Sequence, residues 1–146
     1  MTDSMTNRGS MTLESELSSV DAVEAKAEQL AREAGFDEDT SSQIAMVTRE
    51  AVINAILHGN KKDPAKQVHV NFELNDEALR IKIADEGAGL DPDSVPDPLA
   101  PENILRSSGR GIFLMKAIMD EVHFHQLNPG TEIELTKHRV KKELSA

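Results

Sequence analysis

No cysteine occurs in the 146 residues. Disulfide cross-links are therefore excluded, and a reducing compartment such as the cytoplasm fits. The chain opens without a charged-then-apolar leader, and no apolar run approaches the ~18 residues that a membrane-spanning helix requires. Basic residues are also scarce: 16 Lys and Arg stand against 26 Asp and Glu, for a net charge of -10. That balance opposes nucleic-acid phosphates and anionic lipid, and no segregated basic patch relieves it. Neither nucleic acid nor membrane is expected as a partner. With 38% hydrophobic residues, a chain of this size can form one domain that buries roughly two-thirds of its unfolded surface without cross-links or structural metal.

The pattern along the chain predicts an order of βα, α, ββ, loop, α, ββ. Residues 1–10 are rich in Ser, Thr and Asn and read as a loose arm, residues 11–140 as the folded domain, and residues 141–146 as a tail. Alternation over residues 11–17 predicts a short strand. Ser18-Ser-Val-Asp21 offers a capping pattern before Val23, Ala27, Leu30 and Ala34, with Gly35 as the stop. A second helix opens between Asp37 and Ser41, runs through Ile44, Val47 and Ala51 to about Leu57, and closes at Gly59. Val68, Val70, Phe72 and Leu74, then Leu79, Ile81 and Ile83, alternate with polar residues around Asn75-Asp76-Glu77, the signature of an antiparallel hairpin. Residues 86–106 carry four prolines and two glycines and no sustained period, a length that suggests a lid. Helical periodicity resumes after Gly109, and a closing hairpin turns at Asn128-Pro129-Gly130. Apolar residues on one side of each hairpin predict an α+β fold, a two-layer sandwich with helices on one sheet face.

Within the second helix, Glu50, Asn54 and His58 fall at i, i+4 and i+8. At 100° per residue they drift only about 80° around the axis, so a carboxylate, an amide and an imidazole form a polar line on an otherwise apolar helix. Asp85 continues the alternation of Leu79, Ile81 and Ile83, so its carboxylate should point toward the helical layer, where an unpaired charge is costly. The run Asp85-x-Gly87-x-Gly89 lets backbone pass close to a bound group, and the carboxylate suits an exocyclic amine such as that of adenine. Ser107-Ser-Gly-Arg-Gly111 is a second glycine-bearing turn, placed where helix N–H groups and Arg110 suit phosphate oxygens. Singly, each has a plainer reading: a solvated helix face, a strand-end turn, a flexible joint, and, at Gly130-Thr131, an ordinary hairpin.

In this order, however, Glu50-x-x-x-Asn54-Ala-x-x-His58-Gly59, Asp85-x-Gly87-x-Gly89, Ser108-Gly109-x-Gly111 and Gly130-Thr131 resemble the N, G1, G2 and G3 boxes of the GHKL (histidine-kinase-like) ATPase superfamily. The His58-Gly59-Asn60 ending and the segment 109–122 look most like the anti-sigma-factor serine/threonine kinases of the RsbW type. The resemblance covers about residues 11–137. It implies a Bergerat-type fold with a mixed, mostly antiparallel sheet, and an ATP site in which Asn54 holds Mg²⁺ and Asp85 receives the adenine amino group. Gly87 and Gly89 would shape the nucleotide pocket. Ser108, Gly109, Arg110 and Gly111 would meet the phosphates, with Thr131 in the last box. Arg106 also qualifies as the phosphate or partner arginine, and Arg110 is preferred. Glu50 would act as general base toward a serine hydroxyl, and His58 marks the helix end rather than a participant.

The resemblance further implies an anti-sigma factor and ATP-dependent protein serine/threonine kinase acting on an anti-anti-sigma (STAS-type) partner. It leaves open a homodimer formed through the polar outer sheet face. A nucleotide-gated binding module without kinase activity is the alternative. A histidine kinase would need a phosphoacceptor helical hairpin, for which the roughly 35 residues before the second helix leave no room. A metal enzyme is weaker, because His123 and His125 share a strand face without a third ligand.

Overall fold

Alternating apolar residues build the sheet first. In the computed structural model, which describes residues 7–87 and 111–139, the strands are β1 (Asn7–Glu14), β2 (Gln67–Leu74), β3 (Ala78–Ala84), β4 (Glu121–Gln126) and β5 (Thr131–His138). They form one sheet in the order β1-β2-β3-β5-β4, antiparallel at each of these pairings. Two hairpins and one edge strand account for that order. β1 starts at Asn7 and ends at Glu14, earlier at both ends than its alternation indicates. Asn7, Arg8, Gly9 and Ser10 supply no apolar signal, and their strand character comes from backbone pairing with β2, in register from Asn7 opposite Leu74 to Glu14 opposite Gln67.

Among the described residues, three α-helices follow from the 3.6-residue pattern: α1 (Val20–Glu33), α2 (Glu38–Asn54) and α3 (Gly111–Ile118). The capping pattern expected at Ser18 is not used. A 3₁₀ turn, Leu17–Ser19, leads into α1, the N-cap is Ser19 without a side-chain bond, and the Ser18 hydroxyl turns back to Glu16 at 3.4 Å. Gly35 stops α1 as expected. Its φ of 94° lets the Phe36 N–H reach the Ala31 carbonyl at 3.1 Å and its own N–H reach Arg32 at 3.0 Å, which satisfies two otherwise orphaned carbonyls. Asp37 then caps α2 by accepting the Thr40 N–H at 2.7 Å.

The core lies between the sheet and the helices. Val70, Phe72, Ile81 and Ile83 of the sheet meet Val23, Leu30, Ile44 and Val47 of α1 and α2, and all are essentially excluded from solvent. α3 adds Met115 and Met119 beside α2. The opposite sheet face is polar. There Glu73 joins Arg8 at 3.2 Å and Arg80 at 3.1 Å, and Glu134 joins the same Arg80 at 3.1 Å and His125 at 2.9 Å. Such exposed pairs contribute little stability one by one, so burial on the helical side carries the fold.

Neighbouring β3 positions should therefore differ sharply. Ile81→Ala is expected to lower the unfolding free energy by about 3 kcal/mol in urea titrations. Lys82→Ala, on the open face, should change it by less than about 0.5 kcal/mol. Similar losses at both positions would contradict the assignment of the two faces.

Candidate functional site

α2 does not run on to His58 as an α-helix. After Asn54 the backbone opens into a π-turn, Ala55–Gly59, in which the Asn60 N–H bonds the Ala55 carbonyl at 2.8 Å. Within that π-turn His58 is exposed. Glu50 and Asn54, one helical turn apart, remain half-buried, and neither side chain has a hydrogen-bond partner among the described residues. Past the π-turn, Lys61 and Lys62 both take left-handed backbone (φ 52° and 60°), and the Lys62 N–H returns to the Ile56 carbonyl at 2.8 Å. Left-handed backbone is disfavoured for residues with a Cβ, so this turn is strained.

That turn brings Gly59 against the end of β3. A Cβ at Gly59 would collide with the Asp85 carboxylate, and one at Gly87 would collide with the Gly59 carbonyl. Gly130, at φ 104°, packs on the Asp85 backbone from the β4–β5 hairpin. Three chain segments therefore close on one carboxylate because three glycines leave room for it.

Asp85 points inward, as its alternation requires, and is 9% exposed. Its Oδ1 accepts the Gly87 N–H at 3.0 Å and the Thr131 N–H at 3.1 Å, and its own N–H bonds the Thr131 carbonyl at 2.9 Å. Among the described residues nothing donates to Oδ2. Burial pushes the Asp85 carboxyl above the ordinary range, opposed by the Gly87 and Thr131 N–H groups and by the charge of Lys66. The arrangement is a preformed acceptor: one oxygen fixes the rotamer, and the other is available to a donor in a partly desolvated place.

Behind Asp85 lies a buried polar cluster that the sequence patterns do not reveal. Asn60, 1% exposed, accepts the Glu86 N–H at 2.8 Å and donates to Ser15 at 2.9 Å and to the Gln67 carbonyl at 3.0 Å. The Ser15 hydroxyl continues to the Lys66 carbonyl at 2.7 Å. The Glu86 carboxylate accepts the Gln67 N–H at 3.1 Å and meets His69 Nε2 at 2.6 Å, contacts that hold it below the usual carboxylate range, with His69 contributing most. An Asn followed by two lysines looks solvent-facing. Its burial depends on Ser15, 45 residues away in sequence.

Of the residues singled out from sequence, the structure gathers Asp85, Gly87 and Thr131 at one point, with Asn54 and Glu50 on the helix that leads to it. Gly111 is the first residue of α3. Gly89, Ser108, Gly109, Arg110 and Arg106, and the lid expected over residues 86–106 apart from Glu86 and Gly87, lie outside the described residues. His123 and His125 pair with Glu121 and Glu134, and among the described residues no group of three or more His, Cys, Asp or Glu side chains is arranged to hold a metal. No helix among them is long and apolar enough to cross a membrane.

A family model described as a histidine kinase-like ATPase domain matches residues 13–137. An anti-sigma F factor of Anoxybacillus flavithermus is 36% identical over 110 residues, covering 72% of this chain and 74% of that protein. The serine-protein kinase RsbW of Staphylococcus epidermidis is 36% identical over 117 residues, covering 75% and 71%. Among solved structures, the RsbU and RsbW domains of a Mycobacterium tuberculosis protein superimpose with a TM-score of 0.63 at 20% identity. That match covers 90% of this chain and 32% of the other, a likeness of fold.

The raised Asp85 carboxyl has a consequence for the ligand-free protein. Its folded-state affinity for a proton exceeds the unfolded one, so the ionised form weakens the fold at neutral pH, and the penalty disappears as pH falls through the raised value toward the ordinary 3.8. Asp85→Asn is therefore expected to raise the melting temperature of the ligand-free protein at pH 7, with the gap to wild type closing as the buffer is acidified. A variant less stable than wild type at pH 7 would show that the carboxylate is well compensated in place.

Proposed function

The chain belongs to the histidine kinase-like ATPase domain family, and from that premise we propose that it binds ATP over Asp85 and Asn54 and acts as an anti-sigma factor and protein serine kinase. The observation that carries the site is the Asp85 carboxylate, with Oδ1 held by two backbone N–H groups and Oδ2 without a donor among the described residues. An adenine amino group is the donor that this oxygen fits. Its discrimination comes from burial, since a ligand without that amine leaves a desolvated acceptor unmatched.

Phosphoryl transfer asks mainly for positioning, charge neutralisation and an oriented nucleophile. Asn54, half-buried and without a partner among the described residues, offers a hard amide oxygen that fits Mg²⁺, which supplies charge neutralisation on the phosphates when bound. Glu50 stands one turn earlier on α2. In the proposed reaction it accepts the proton of a serine hydroxyl, the serine oxygen bonds to the γ-phosphorus, and the bond from that phosphorus to the bridging oxygen breaks to leave ADP. The phosphoacceptor is an anti-anti-sigma partner of the STAS type, and the sequestered partner is a sigma factor. A homodimer would use the sheet face opposite the helices, along which Arg8, Glu73, Arg80 and Glu134 form a line of alternating charge.

Each role has its own expected loss. In EDTA, Asp85→Asn should weaken ATP binding about tenfold or more in calorimetry, the size of a hydrogen bond to a charged group. Asn54→Ala should have little effect until Mg²⁺ is supplied. Equal losses without metal would overturn that division. Glu50→Gln should keep nucleotide affinity and lower phosphoserine formation on an anti-anti-sigma substrate by at least about a hundredfold. Undiminished transfer by this variant would remove Glu50 as the base, and no transfer by the wild type would favour a nucleotide-gated binding module.

A further inference from the structure

The direction of a side chain is set by the two peptide planes that flank its Cα. For Asp85 one plane is tied by its own N–H to the Thr131 carbonyl at 2.9 Å. The other carries the Glu86 N–H, which is bound at 2.8 Å by Oδ1 of Asn60. We infer that Asn60 is a positioning residue for base recognition: its buried carboxamide fixes the peptide plane between Asp85 and Glu86 and so aims the Asp85 carboxylate. The inference rests on the reading of Asp85 as the adenine acceptor.

Asn60 is suited to this because every polar atom of its side chain is engaged. Oδ1 takes the Glu86 N–H, and Nδ2 gives its two protons to Ser15 Oγ at 2.9 Å and the Gln67 carbonyl at 3.0 Å. A fully satisfied amide with 1% exposure has no competing water and one rotamer. Glu86 is anchored a second time through its carboxylate, on the Gln67 N–H and His69. The residue after Asp85 is thus clamped to the start of β2. The same π-turn that presses Gly59 on Asp85 delivers Asn60 to Glu86, so one backbone feature places both the wall and the clamp.

The experiment compares affinity for ATP with affinity for purine riboside triphosphate, which lacks the 6-amino group. Wild type should prefer ATP by about tenfold or more. Asp85→Asn should lose the preference, because Oδ1 of the asparagine would stay on Gly87 and Thr131 and turn an NH₂ donor toward the amine. Asn60→Ala should lose it too, while binding purine riboside triphosphate with less than about a threefold change. Ser41→Ala removes a buried hydroxyl, bonded to the Phe36 carbonyl at 3.3 Å, without touching Asn60 or the Glu86 N–H, so it should keep the preference whatever it does to melting temperature. If Asp85→Asn keeps the preference, the adenine reading fails. If Asp85→Asn loses it and Asn60→Ala keeps it, only the positioning role fails. Should Asn60→Ala not fold, Asn60→Asp retains the acceptor and should retain the preference, and its loss in a folded Asp variant overturns the inference. Amide exchange in the unaltered protein supplies a reading free of any substitution. ATP should slow exchange of the Glu86 N–H several-fold more than purine riboside triphosphate does, and equal protection overturns the inference.

Discussion

The end of α2 and the end of β3 approach until a glycine Cα rests on a carboxylate, and the contact of Gly59 with Asp85 constrains most of what surrounds it. Gly87 must pass the Gly59 carbonyl, and Gly130 must pack on the Asp85 backbone. An α-helix continued through residue 59 would present a different face to the sheet, so the π-turn belongs to the same constraint. The two left-handed lysines follow from it as well, since the chain has to reverse within a few residues to begin β2. A side chain larger than hydrogen at Gly59 or Gly87 would push the helix end off the strand end.

Local strain and a desolvated carboxylate are tolerated because the rest of the domain is conventionally packed. The apolar residues of β2, β3 and β5 meet those of α1 and α2 with almost no exposure, and at roughly 1.5–3 kcal/mol for each fully buried aliphatic side chain that layer far outweighs two disfavoured backbone conformations. Stability and function are therefore divided within one sheet. The middle of β3 contributes burial, and the residue just past its end, Asp85, contributes the proposed acceptor, whose charged form the fold resists.

The same division separates the two sheet faces. The helical side holds the buried Asp85 carboxylate, while the other side is a polar surface of ion pairs that no described element covers. A kinase that also holds protein partners needs surfaces that can be engaged independently of the nucleotide. A one-sided sandwich supplies them.

The strands, helices and sheet faces were legible because their signals are local. Alternation placed Ile81 inward and Lys82 outward, Gly35 ended α1, and the same alternation turned Asp85 toward the helices. Local signals failed where backbone pairing alone makes the element, as at residues 7–10 of β1, and where a helix changes type, as after Asn54. By itself the sequence determined the fold class, the inward carboxylate and the ordered glycine boxes. Tertiary structure decided that Asn60 is buried, that the chain after Asn54 turns as a π-helix, and that three glycines meet at Asp85. The physical reason is range. Asn60 finds Glu86 across 26 residues and Asp85 finds Thr131 across 46, and contacts of that span depend on how the packed layers bring strand and helix ends together, which no periodicity along the chain encodes.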